Sequence, residues 1–66
     1  MKVFRLTRGI INGRRCLLGV DPQGRILGLV WLPGPAESLR WPGLADKTDM
    51  ELFTRETGLA MDENCQ

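Results

Sequence analysis

From residue 3 to residue 32 the chain is a near-unbroken apolar ribbon, cut twice by turn-forming residues, Asn12-Gly13 and Asp21-Pro22-Gln23-Gly24. Asn-Gly between apolar runs is a strong hairpin signal, because both residues tolerate the positive φ of a type I′ turn. In the second cut, Pro22 presets φ at the second turn position and Gly24 accepts a left-handed conformation. Two hairpins at this spacing predict a three-stranded antiparallel β-meander, with strands over 3–11, 14–20 and 25–32. Pro33-Gly34-Pro35 ends the third strand, since proline cannot donate to a ladder.

Turn length sets register. A two-residue turn at Asn12-Gly13 places Ile11 opposite Arg14, Gly9 opposite Cys16 and Thr7 opposite Leu18. A three-residue loop after Asp21 places Asp21 opposite Arg25, Leu18 opposite Gly28 and Cys16 opposite Val30. One face then holds Val3, Thr7, Gly9, Ile11, Cys16, Leu18, Val20, Ile26, Gly28, Val30 and Leu32. The second holds Phe4, Leu6, Ile10, Leu17, Leu27, Leu29 and Trp31, with Lys2, Arg8, Arg15 and Arg25 among them. A one-residue slip at the second turn exchanges the faces of strand three.

Residues 33–47 form a connection punctuated by proline and glycine. Within it, 36–40 has room for one helical turn, and Trp41, preceding Pro42, is extended. Thr48-Asp49-Met50-Glu51 reads as a capping box, and Gly58 sits where a left-handed glycine ends a helix. The pattern predicts a short helix over 49–57 whose sticky side is Leu52 and Phe53, flanked by Met50 and Leu59. So short a helix must dock on the sheet. Residues 61–66 read as a loose tail of a single α+β domain spanning 1–66. Small residues cluster on the first face at Thr7, Gly9, Cys16 and Gly28, so the helix is expected there. The second face stays uncovered unless Leu39 and Trp41 fold back over it.

Composition narrows the classes. With 42% hydrophobic and 26% charged residues the chain is too apolar for intrinsic disorder. A core built from so few residues is marginal without a staple or a partner. The longest mostly apolar stretch, 26–35, is roughly half a membrane span. No compact apolar segment follows Lys2 and Arg5 as in a signal peptide, so a cytoplasmic location is expected. Cys16 reads as a small buried hydrophobe in a strand, and Cys65 is next to the C-terminus, so no disulfide is expected. With no histidine and no close cysteine pair, neither a metal site nor a cofactor is expected.

Catalysis finds little support. Histidine and tyrosine are both missing, which removes the commonest general base. Asp46, Asp49 and Glu51 lie close together but lack the glycine-containing alternation of a calcium loop, and they read as helix caps. Cys16 has no visible base to activate it. The chain is expected to be a non-enzyme.

Charge is lopsided: residues 1–34 carry six Lys/Arg against one Asp, and residues 35–66 carry three against seven Asp/Glu. The first expectation is protein binding through Phe4, Leu6, Leu17, Leu27, Leu29 and Trp31, ringed by Arg8, Arg15 and Arg25. The partner is a protein, with an acidic surface for those arginines, or a second copy. In a homodimer the first and third strands offer free edges. Small size without catalytic groups fits the inhibitors and adaptors that phages and mobile elements encode, an analogy of class alone. The alternative is nucleic-acid binding through Arg8, Arg14, Arg15 and Arg25, with Trp31 and Phe4 stacking on bases. A net charge of only +1 weighs against it.

Overall fold

The computed structural model describes residues 2–35 and 41–62. In chain order the elements are β1 (Lys2–Val3), β2 (Arg5–Ile11), β3 (Arg14–Val20), β4 (Ile26–Pro35), β5 (Gly43–Leu44), α1 (Lys47–Thr57) and β6 (Ala60–Met61). An antiparallel sheet runs in the order β4-β3-β2-β5, and β1 pairs with β6 in parallel. The architecture is α+β: a meander, one added short strand and one helix on one side of the sheet.

Local chemistry made the two turns as expected. Asn12 and Gly13 both take positive φ, 53° and 74°, and β2 meets β3 with Ile11 opposite Arg14, Gly9 opposite Cys16 and Thr7 opposite Leu18. Gly24 is left-handed at φ 83°. Asp21 is the hub of the second turn, its carboxylate accepting from the Gln23 amide at 2.9 Å, the Arg25 amide at 2.8 Å and Arg25 Nε at 2.7 Å. These bonds, that from the Arg25 amide foremost, hold the Asp21 carboxyl below its ordinary pKa. A depressed carboxyl stabilises the fold above its unfolded pKa, and the contribution is lost as pH falls through the lower folded value. Asp21→Asn is therefore expected to melt below wild type at neutral pH, with the gap closing below about pH 4. Thermal melts at a series of pH values check this, and a gap that stays constant down to pH 2 contradicts it.

Strand three departs from the expected register. Val20 pairs with Ile26 as anticipated, but Gly19 pairs with Gly28, Leu18 with Leu29, Leu17 with Val30 and Cys16 with Trp31. One extra residue, Leu27, is accommodated as a β-bulge that shifts the pairings of residues 28–31 by one, and a second irregularity between Cys16 and Arg14 then sets Arg14 opposite Pro35. Gly28, Val30 and Leu32 therefore join Leu6, Leu17 and Gly19 on one side. Leu29 and Trp31 join Thr7, Gly9, Cys16 and Leu18 on the other. The strand also runs on to Pro35 instead of ending at 32, which an edge position permits because no outer neighbour needs proline's missing N–H.

The helix docks on the side opposite to expectation. Gly19 and Gly28 lie side by side on β3 and β4, leaving a hollow without Cβ atoms. The Phe53 ring fills it: a Cβ built on Gly19 would come within 2.6 Å of Phe53 Cζ, and one on Gly28 within 3.1 Å. Val3, Leu6, Leu17, Val30, Trp41 and Phe53 make the core, with Leu27, Leu32, Ala45, Met50, Leu52, Leu59 and Met61 packed around it. Trp41 does fold back over this side, and its indole donates to the Gly9 carbonyl at 2.7 Å.

Three smaller differences complete the frame. The first strand is broken at Phe4, whose amide donates to the Val20 carbonyl at 2.8 Å, so the chain bends between β1 and β2. Met61 belongs to β6 and the Asp62 amide donates to the Val3 carbonyl at 2.8 Å, so residues 61 and 62 are not the loose tail expected there, and 63–66 lie outside the described residues. The helix starts two residues early because Asp46, not Thr48, is the N-cap, closing a reciprocal box with Asp49. Gly58 ends it at φ 74°, as expected. The expected helical turn over 36–40, Leu39 and Cys65 all lie outside the described residues.

Candidate protein-binding face

With α1, Trp41 and the β1–β6 pair all on one side, no described element covers the other side of the sheet. Along β2 it presents Arg5, Thr7, Gly9 and Ile11, along β3 Arg14, Cys16, Leu18 and Val20, and along β4 Ile26, Leu29 and Trp31. None of these apolar side chains belongs to or packs against the core cluster. Trp31 is 42% and Ile26 61% exposed, a large apolar area to leave toward water. Its floor is smooth: Gly9 carries no side chain, and Leu18 leans across it so closely that a Cβ there would sit 3.2 Å from Leu18 Cδ1. Cys16 below is fully buried and free, and its burial pushes the thiol pKa up, against the use of this sulfur as a nucleophile.

Charge borders this face at both ends. The Arg14 guanidinium lies 4.6 Å from the Trp31 ring centroid, and that of Arg5 lies 6.0 Å from the Phe4 ring. Arg25 projects at the Ile26 end but is tied to Asp21 at 2.7 Å. The carboxylates Asp46, Asp49, Glu51 and Glu56 belong to the helix and its cap, behind the sheet.

The residues expected to form one binding surface are divided between the two sides. Leu29 and Trp31 are on the open face. Leu6 and Leu17 are core residues, 2% and 0% exposed, and Leu27 packs against them. Phe4 is half-buried at the bend beside Arg5. Arg8, expected at a binding rim, is instead an internal latch: Nε donates to Asp49 at 2.7 Å and a terminal nitrogen to Asp46 at 3.1 Å. Arg8 and Arg15 both lie over the Trp41 ring, at 4.8 and 5.3 Å, and Arg15 donates to the Pro33 carbonyl. The arginine set assigned to nucleic acid is thereby reduced, because only Arg14 of its four members borders the open face without an ion pair among the described residues.

Sequence reasoning placed Leu18, Val20, Ile11 and Ile26 beneath the helix, and so missed them as candidate contacts. The signal that finds them is the Gly19/Gly28 pair, which becomes visible only once the bulge at Leu27 is placed. Asp46 and Asp49 serve the helix cap and Arg8, and no group of three His, Cys, Asp or Glu residues able to hold a metal gathers among the described residues. No helix among them is long and apolar enough to cross a membrane. Compared with known proteins, the chain matches no family model, no curated protein and no solved structure.

Proposed function

We propose that this chain is a non-enzymatic protein-binding module, of the adaptor or inhibitor kind, that works through the open sheet face. One observation carries the reading: Leu18, Leu29, Trp31 and Ile26 form an apolar surface that no described element roofs. Soluble chains rarely leave such patches without a use. Tryptophan and arginine at its border are the residue types that anchor protein interfaces. The lack of histidine and tyrosine, with the helix-side carboxylates occupied in capping, agrees with binding in preference to catalysis.

The test separates binding from folding. Ile26 and Trp31 are 61% and 42% exposed and lie outside the core cluster, so the double substitution Ile26→Ser/Trp31→Ser is expected to leave the chain folded, which its thermal melt checks. Affinity capture from the cell that makes the protein should lose its retained partner with this variant and keep it with Glu56→Gln on the helix. Equal retention by the double variant overturns the reading.

A further inference from the structure

Resting on that reading, we infer that the occupant of the open face is an acidic amphipathic helix, an apolar ridge carrying carboxylates near both of its ends. The spacing of the cations sets the shape. Arg5 begins β2 and Arg14 stands opposite its last residue, Ile11, six steps along the strand. At 3.3 Å per residue this is roughly 20 Å, the length of about 13 helical residues. Both arginines are exposed, and neither has an ion-pair partner among the described residues.

Between those ends the face is uncharged: Thr7, Gly9, Cys16, Leu18 and Leu29 occupy its middle. An apolar ridge covers such a strip, and two end carboxylates meet the two guanidiniums. Buried aliphatic contact supplies affinity, while rim charge sets orientation and encounter rate. A nucleic acid would lay sugar and phosphate against Leu18 and Leu29, with Trp31 and the half-buried Phe4 as the only rings near the border. Among the described residues, a second copy facing the first brings a further Arg5 and Arg14 to the seam, while Asp46, Asp49, Glu51 and Glu56 stay with its helix on the far side. Charge complementarity therefore selects an acidic protein segment.

Full-length chain labelled with 15N distinguishes the occupants. The probes are a 14-residue Leu/Ala helix with glutamates at both ends of its apolar face, its lysine counterpart, phosphatidylserine vesicles and a single-stranded oligonucleotide. The glutamate peptide should shift the amides of Thr7, Leu18, Leu29 and Trp31. Its affinity should fall about tenfold with Arg5→Gln/Arg14→Gln, fall with added salt, and exceed that of the lysine peptide. Arg5→Glu/Arg14→Glu should weaken it further, and the amide spectrum itself reports that each variant stays folded. Equal binding of the lysine peptide overturns the acidic partner while leaving the face as a binding surface. So does a preference for vesicles or the oligonucleotide at the same amides, or a doubling of mass without any probe. Shifts confined to the shallow helix-side groove at Met50, Thr54 and Met61 overturn both this inference and the reading beneath it. No shift at millimolar glutamate peptide overturns the inference.

Discussion

Phe53→Ala is expected to leave much of the population unfolded at 25 °C. Truncating a fully buried phenylalanine costs about 3–5 kcal/mol in lost transfer energy and residual cavity. A chain of 66 residues has about 3–10 kcal/mol of stability altogether, at 0.05–0.15 kcal/mol per residue. The ring is 0% exposed and joins the helix to the sheet through the Gly19/Gly28 hollow, so its removal undoes the docking that keeps α1 helical. Thermal melts should show a midpoint at least about 12 °C lower, using the roughly 4–8 °C per kcal/mol typical of small domains. Gly19→Ala tests the same seat from the other side. The added methyl meets the ring at 2.6 Å and should cost about 1–3 kcal/mol. Joined to Phe53→Leu, whose side chain is smaller, Gly19→Ala should cost less than the sum of the two single changes. Strict additivity would mean that the ring does not occupy the hollow.

Asp49→Ala is the second large loss, about 3 kcal/mol, because one carboxylate performs two tasks. Oδ2 accepts from Arg8 Nε at 2.7 Å and from the Asp46 amide at 3.0 Å, closing the helix N-terminus and joining it to β2. Without it, an arginine whose side chain is only 10% exposed keeps the Asp46 carboxylate, itself 53% exposed and screened by water. Asp46→Ala should cost less, about 1 kcal/mol, as the loss of an ordinary cap. The diagnostic variant is Arg8→Met/Asp49→Ala, which removes the cation together with its partner. It should be less destabilised than the two single changes added together, since much of the single-mutant cost is a buried guanidinium left with weaker pairing. Urea unfolding checks all of these, and an Asp49→Ala effect no larger than that of Asp46→Ala would show that the latch to β2 contributes nothing.

Both predictions involve residues whose neighbours are far along the chain, and this marks how far the amino-acid order is informative. Asn12-Gly13 and Asp21-Pro22-Gln23-Gly24 made their turns because φ preferences and an Asp side chain act within four residues. Gly58 ended the helix for the same reason. The capping box slid from Thr48/Glu51 to Asp46/Asp49 because two competent boxes overlap in the chain, and Arg8, 41 residues from Asp49, favours the second. The short pairings of β1 with β6 and β2 with β5 have no periodic pattern to announce them.

The chain by itself determined a meander followed by a helix, more apolar surface than one short helix can roof, and a basic sheet-forming half. Tertiary structure alone decided which surface stays open. The bulge at Leu27 turned residues 28–31 over, brought Gly28 beside Gly19, and gave Phe53 a seat on the side that also holds Leu6 and Leu17. A bulge is an insertion of one residue whose local energy differs little from that of a regular strand. What selects it is the packing of an aromatic ring from 25 residues downstream of Gly28, and a turn preference does not encode that contact.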